Sequence, residues 1–426
     1  MRQNNNNMDK ELFRTIISEN QEIIGEIELV ERQISLEDNG SYVFVGVRQA
    51  GKSYLLYQRV QDMLSNGRDI KDMVYVNFDD ERLIGMTAND FDLIIQAYYS
   101  MYDGNPVFFF DEIQNVDGWA NFARRLANQK YQVYVTGSNA KMLSRDIETV
   151  LGGRYLDVNV FPYSFEEYLE AVGVELGKAW QYGRKANEIQ RFFRIYYEWG
   201  GFPELVRFKE KRVWLNSLFN RIFFNDLVVR HKIKNEDALH ICLRRLAESV
   251  KQPCSLNRLS NLVKSTGVSC SASTVMEYMR YLQEACMIVS LENYASKFVE
   301  KETVKKHYFV DNGLLHLFLN DPETSLLENL CAINLYKRYN SGLYFYNRHI
   351  EVDFYVPDES LAVQVAFSLK DDDTRKREVA ALVALNGVCS LKRAMIITYD
   401  EEETIDGNAL AIEVVPIWKW LLCKEI

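Results

Sequence analysis

The sequence predicts an α/β chain in three parts: a doubly wound parallel-sheet domain, a mainly helical middle, and a second α/β domain at the C-terminal end. Three observations lead there. Short β-rich runs at 42–45, 73–76, 107–110 and 133–135 alternate with helical stretches, as in a parallel sheet with crossover helices. A glycine-bearing loop, GVRQAGKS (46–53), follows the first run directly. After a long helical interval, β-rich runs return at 343–346, 351–356, 361–365 and 394–398.

In chain order, the asparagine run at 4–7 reads as a disordered leader, with Met8 a natural start. Leu12, Ile16, Ile17, Ile23, Ile24 and Ile27 recur near a 3.6 spacing, so 1–40 reads as a helical leader. The parallel-sheet domain occupies 41–163, and 164–235 is mainly helical. Residues 236–300 read as short helices followed by an apolar strand at 287–291. Leu256, Leu259 and Leu262 suit packing of one helix and Val275, Met279 and Leu282 of the next, in the manner of a winged helix. The remainder, 301–426, is the second α/β region.

Composition narrows the function classes. With 426 residues, 47% hydrophobic and 26% charged, the chain has the balance of a folded globular protein. A net charge of -10 excludes a uniformly basic nucleic-acid coat but permits a local basic face. Seven scattered cysteines without a CxxC pair suit neither a disulfide framework nor a zinc ribbon, which points to a reducing compartment, the cytoplasm. No apolar run reaches the length of a membrane span. The five histidines lack paired-ligand spacing, so each reads as a surface or core imidazole.

The chemistry concentrates in GVRQAGKS, which fits G-x-x-x-x-G-K-[ST] between a strand and a helix. Glycines let backbone N–H groups close around phosphates, and the following helix adds its positive end. Gly46, Gln49, Ala50, Gly51, Lys52, Ser53 and Tyr54 form the expected binding set, with Lys52 at the β- and γ-phosphates and Ser53 on Mg²⁺. The run at 107–110 ends in Asp111 and Glu112: Asp111 suits a Mg²⁺ contact, and Glu112 orients or deprotonates the attacking water. ATP is expected over GTP, because no NKxD signature is present. The strand at 133–135 ends in Thr136, Gly137, Ser138 and Asn139; Thr136, Ser138 or Asn139 suits a γ-phosphate sensor, with Ser138 and Asn139 preferred and helix capping as the competing role. Arg154, after Leu151-Gly152-Gly153, is the candidate for stabilising transition-state charge, from its own subunit or across a homo-oligomer interface. An ordinary surface salt bridge explains Arg154 equally well.

These motifs, in order, resemble the AAA+ ATPases of bacteria and archaea that carry a winged-helix region and a C-terminal restriction-endonuclease-like domain. The resemblance rests on residues 43–54, VYVNFDDER (74–82), FFDEIQ (109–114), VTGSN (135–139), LGGR (151–154) and FPYSFEEY (161–168). GGFPE (200–204), YFVDN (308–312) and EVDF (351–354) extend it to about residues 10–420. It implies Gly46, Gly51, Lys52 and Ser53 at the phosphates, Asp111 at Mg²⁺, Glu112 as catalytic and Arg154 as nucleotide-responsive. Asp79 and Asp80 either face the site or are loop carboxylates in solvent.

The resemblance also implies a nuclease-like fold at the C-terminal end. Such a site needs an acid on a helix, an Asp on a strand and a (D/E)-x-K strand beside it. Glu328 and Asp353 take the first two places, but Gln364 stands for the acid and Ala366 for the lysine, so this domain is expected to be inactive as a nuclease. Lys370 and Lys376 are the cations near enough in sequence to substitute.

Two partner classes stay open. Residues 205–234 carry eight Lys/Arg against Glu210 and Asp226, interleaved with Phe208, Trp214, Phe219, Phe223 and Phe224. That composition suits DNA, or an amphipathic helix with core aromatics and solvated cations. Residues 236–300 carry seven Lys/Arg and seven Asp/Glu, which favours a protein partner or internal packing there. The expected function is a Mg-dependent ATPase switch; a nonhydrolysing interaction switch and an ATP-gated nuclease are the alternatives.

Overall fold

The computed structural model describes residues 8–143, 145–407 and 410–423, so the asparagine run at 4–7 lies outside the described residues. The chain divides into two compact units, Met1–Phe161 and Pro162–Ile426.

The first unit is a parallel five-stranded sheet. Its elements are α1 (Lys10–Ile24), β1 (Tyr42–Val45), α2 (Lys52–Ser65), β2 (Met73–Asn77), α3 (Phe91–Met101), β3 (Val107–Asp111), α4 (Trp119–Asn128), β4 (Gln132–Gly137), α5 (Arg145–Leu151) and β5 (Leu156–Asn159). Strand order is β2-β3-β4-β1-β5, with every neighbouring pair parallel. β4 therefore lies between β1 and β3. All residues of β1 and β3 are buried, which explains their unbroken apolar runs. β5 is an edge strand whose Leu156 is half exposed, so it gives no apolar run to read.

The leader differs from the continuous helix expected to residue 40. α1 stops at Ile24 with Gly25 at its C-cap, and most of 27–37 is irregular. Past Gly25 the buried group is Arg32, whose backbone N–H donates to Gln58 Oε1 at 2.8 Å and whose guanidinium donates to Ala50 O at 3.0 Å and Phe161 O at 2.7 Å. A segment tied down by such long-range polar bonds has no use for helical periodicity.

The second unit opens with helices: α6 (Phe165–Ala171), α7 (Gly183–Trp199), α8 (Lys211–Arg221), a π-helical continuation at Ile222–Val229, and α9 (Glu236–Glu248). β6 (Cys254–Ser255), α10 (Leu256–Lys264), α11 (Ala272–Glu284), β7 (Ile288–Asn293), α12 (Phe298–Thr303) and β8 (Val304–Phe309) follow. Then come α13 (Asn312–His316), α14 (Glu323–Tyr339), β9 (Tyr344–Asn347), β10 (Glu351–Val356), β11 (Leu361–Val365), α15 (Asp372–Cys389), β12 (Arg393–Thr398), β13 (Glu403–Asp406), β14 (Ala411–Pro416) and α16 (Ile417–Trp420). All β-strands of this unit share one nine-stranded sheet, in the order β13-β14-β12-β11-β10-β9-β7-β8-β6. β7 and β8, on either side of residue 300, pair antiparallel, so the segments 236–300 and 301–426 are joined by backbone hydrogen bonds.

Three motifs spaced far apart in sequence meet inside this unit. The Asp311 carboxylate accepts from the N–H groups of Gly201 and Gly313, both at 2.8 Å. Tyr163 N–H donates to Gly201 O at 2.8 Å, and Ser164 and Glu167 form a capping box at the start of α6. Asn312 Nδ2 ties Tyr197 O to Leu326 O. FPYSFEEY, GGFPE and YFVDN thus build one buried polar joint, and burial pushes the Asp311 carboxyl up to about 6.

Candidate nucleotide site

The loop after β1 is shaped by close approach and by left-handed backbone. A Cβ on Gly46 would lie 2.0 Å from Val160 O, so any larger residue collides with the chain leaving β5. Gln49 (φ 62°) and Gly51 (φ 94°) are both left-handed, which turns the loop into a concave run of N–H groups at the start of α2. Arg32 braces this turn from outside through Ala50 O.

Lys52 is buried and aims back along the loop. Its Nζ donates to Gly46 O at 3.1 Å and Val47 O at 3.2 Å, and lies 3.7 Å from a Glu112 carboxylate oxygen. Asp111 is fully buried and receives neutral donors only. Tyr75 Oη donates to Oδ2 at 2.7 Å, Thr136 Oγ1 donates to Oδ1, and Ser53 also hydrogen-bonds the carboxylate. Burial, seconded by the adjacent Glu112 charge, raises the Asp111 carboxyl above its ordinary range. Thr136 serves both acids, because its Oγ1 also accepts the Glu112 N–H at 3.0 Å.

Glu112 has left-handed backbone (φ 51°), a costly conformation for a residue with a Cβ. Its side chain accepts from Gln114 Nε2 at 2.5 Å. Burial raises this carboxyl, but Lys52, Gln114 and Arg48 outweigh that and hold it below its ordinary value, so it stays an acceptor at neutral pH. The Ser138 hydroxyl is near enough to help lower the Glu112 carboxyl, yet it is buried without hydrogen-bond geometry to any described residue. Such an orphaned donor beside a carboxylate suits a phosphate oxygen.

The fold therefore brings Lys52, Ser53, Asp111, Glu112 and Ser138 to one sheet end, with Asn139 next along the chain. Tyr54 is half exposed, its ring edge on Tyr57 at 5.5 Å. Arg154 is exposed, and its guanidinium donates to Leu151 O at 3.3 Å and Gly152 O at 3.1 Å, carbonyls of its own loop. Asp80 pairs with Arg82, and Asp79 lies within reach of Asn115 Nδ2 at 3.4 Å. Arg32, Tyr75 and Gln114 escaped sequence reading, since nothing in their local pattern marks a hydrogen bond to a distant loop or acid. Thr136 was legible as a candidate γ-phosphate sensor, but its bonds to Asp111 and to the Glu112 N–H were not.

An oxygen donor set with a buried, cation-free carboxylate fits Mg²⁺, a hard ion that keeps phosphate and water ligands. Ser53 and Asp111 would hold it. Among the described residues no group of three or more His, Cys, Asp or Glu is placed to hold a metal.

A second charged cluster lies in the second unit. Lys306 on β8 is fully buried and donates to Glu328 Oε1 at 3.1 Å and Asp353 Oδ1 at 2.9 Å. Tyr308 Oη adds a bond to Glu328 at 2.8 Å. Gln364 accepts the Asp353 N–H at 2.7 Å and donates to Glu378 Oε2 at 2.7 Å. Burial pushes the Glu328 carboxyl up to about 7, against the pull of Lys306. The cluster borders a cavity of about 790 Å³. Lys370 and Lys376 are exposed; Lys306, from a strand that sequence reading did not isolate, is the cation paired with the two acids.

The fold and this strand-loop-helix site define a nucleotide-binding P-loop domain of the AAA type, and residues 38–169 match the AAA domain family. Residues 190–325 match a domain of unknown function, DUF8612. An uncharacterized protein of Methanocaldococcus jannaschii, MJ1544, is 30% identical over 97% of this chain and 96% of its own length. An uncharacterized protein of Haemophilus influenzae is 30% identical over 89% of this chain and 94% of its own. The chain belongs to the family of these two full-length proteins. Among solved structures, the Walker-type ATPase PABY2304 of Pyrococcus abyssi matches with a TM-score of 0.41 at 13% identity, covering 73% of this chain and 95% of that one. Among the described residues no helix is long and apolar enough to cross a membrane.

Proposed function

We propose that this chain binds Mg·ATP at the end of β1 and hydrolyses it, using the γ-phosphate to switch conformation. One observation carries the reading: Thr136 joins the buried, metal-suited Asp111 to Glu112, whose carboxyl is held ionised 3.7 Å from Lys52. In this reading Lys52 takes the β- and γ-phosphates, exchanging its bonds to the loop carbonyls for phosphate oxygens. Gly46, Gln49, Ala50 and Gly51 supply backbone N–H groups, Tyr54 flanks the nucleotide, and Ser53 and Asp111 hold Mg²⁺. Glu112 takes a proton from the attacking water, and Ser138 with Asn139 senses the γ-phosphate. Arg154 neutralises developing charge within its own subunit or in a homo-oligomer; its exposure and weak self-bonds leave it able to turn.

The remaining readings extend this one. We assign 236–300 to a winged helix, supported by its order of helix, short strand, two helices and strand, with β6 and β7 both pairing antiparallel with β8. We assign the C-terminal α/β region to a nuclease-like fold without cleavage activity, supported by Gln364, Ala366 and the closure of both acids on Lys306. Seven scattered cysteines without a CxxC pair support a reducing, cytoplasmic setting. The basic stretch 205–234 supports DNA as a partner, and the balanced charge of 236–300 supports a protein partner or internal packing there. The test is phosphate release from ATP with Mg²⁺, with and without DNA, in wild type and Glu112→Gln. Turnover abolished by Glu112→Gln with ATP binding retained is expected; equal turnover in both proteins refutes the assignment of Glu112.

A further inference from the structure

We infer that the exposed face of α8 and its π-helical continuation is a binding surface for single-stranded nucleic acid. This deepens the partner part of the reading above, and it rests on the charge and shape of that face rather than on the nucleotide site.

The structure separates the two readings of 205–234 residue by residue. Trp214, Phe219 and Phe223 are core, but Phe208 and Phe224 are 48% and 47% exposed. Six cations are exposed: Arg207, Lys209, Arg212, Arg221, Lys232 and Lys234. Glu210 is the exposed carboxylate of the segment, because Asp226 is buried and paired with Arg230 at 3.1 Å. Glu236 and Asp237 follow only where α9 begins. A chain of net charge -10 thus exposes six cations within this one segment, Arg221 among them lining an open concavity, where cations attract a polyanion and gain by releasing its counterions.

Charge alone does not choose among polyanions; the rest of the face does. Val213, Asn216, Ser217, Asn220, Arg221 and Phe224 fall on one helix face, at i, i+3, i+4, i+7, i+8 and i+11, and line one open concavity of about 500 Å³. Three kinds of group therefore share it: a cation for phosphate, side-chain amides and a hydroxyl for base edges, and an aromatic face. The Phe224 ring stands edge-on to the buried Phe223 ring, 5.3 Å away at 88°, so it is presented in a fixed pose. Phe208 lies against Trp214, 6.1 Å between centroids. Exposed aromatics stack on unpaired bases, whereas the base faces of a duplex are covered by their neighbours. The wide i→i+5 turn at Ile222–Val229 carries Phe224 and Asn225, and such turns are commonly kept at functional sites.

The test is fluorescence anisotropy of full-length protein, without added nucleotide, against labelled oligothymidylate of about 20 nucleotides, longer than one module's site. A duplex of the same length and polyglutamate serve as competitors. Expected are a single-strand affinity that falls steeply with salt and a loss of about tenfold in Phe224→Ala, restored by Phe224→Tyr. The pair Arg221→Glu and Lys232→Glu should weaken binding by at least about tenfold and flatten the salt slope. All these side chains are exposed, and unchanged thermal melting confirms folding. No binding at low salt overturns the inference. So does a duplex bound as tightly with Phe224→Ala silent, or polyglutamate competing equally with Phe224→Ala silent. Because no ATP is present, failure of the ATPase reading leaves this measurement intact.

Discussion

Replacing Thr136 by Val keeps the shape of a fully buried side chain and deletes one oxygen that serves both acids of the nucleotide site. The deleted hydroxyl donates to Asp111; a hydrogen bond to a charged group contributes about 1.5–3 kcal/mol. It also accepts the Glu112 N–H, and a buried donor left without a partner costs about 1–3 kcal/mol. The two losses share one side chain and are not additive, so about 3 kcal/mol is expected. Thr136→Ser keeps the hydroxyl and loses one methyl, about 1 kcal/mol. Hydrogen exchange of peptides covering β3 and β4 reads the difference locally. Opening in Thr136→Val should rise roughly 100-fold over wild type, and in Thr136→Ser only about fivefold. Titration with Mg·ATP should recover part of the lost protection in both, since a ligand bound only by the folded site stabilises it by mass action. Equal exchange in Val, Ser and wild type would refute the claim that Thr136 holds Asp111 and Glu112 in place.

Three further outcomes follow from the same structure. Gly46→Ala should fail to bind nucleotide and lower thermal stability, because its Cβ meets Val160 O at 2.0 Å; a fluorescent ATP analogue reports the binding. Lys306→Met leaves the buried Glu328 and the partly buried Asp353 without their cation and should destabilise the second unit by about 3–5 kcal/mol in urea unfolding, with partial recovery when Glu328→Gln is added. An unchanged unfolding midpoint for Lys306→Met would sink that account. His307 is buried with its Nδ1 2.8 Å from Ser290 Oγ, and burial, helped by Lys305, depresses the imidazole to about 3. The folded state therefore resists a proton that the unfolded chain takes up near pH 6.5, so stability is fully present above that pH and falls as pH drops toward 3. The loss should approach about 1.4 kcal/mol per pH unit below pH 6, and His307→Gln should flatten the thermal-stability profile between pH 4.5 and 6.5.

Strand–loop–helix order, the buried runs of β1 and β3, and the residue types of the phosphate loop were legible because each depends on neighbours in the chain. Alternation, glycine placement and unbroken apolar runs are local signatures of backbone that must be buried or turned sharply. The same holds for Glu351–Val356 and Leu361–Val365, read with their observed bounds. Arg154 was legible as a cation after two glycines, but the loop carbonyls it bonds are not written in that pattern.

What tertiary structure alone decided depends on residues brought together from distant segments. Arg32 reaches Ala50 and Phe161, Tyr75 reaches Asp111 across neighbouring strands, and Lys306 enters from β8 where local reading looked to Lys370 and Lys376. β5 escaped notice because an exposed edge strand needs no apolar run, and the single sheet spanning residue 300 arises from antiparallel pairing that local propensity does not encode. The aromatics of 205–234 make the distinction plainest: five rings with the same local signal divide into three buried and two presented to solvent. Periodicity states that a ring lies on a helix face. Only packing decides whether another element covers that face.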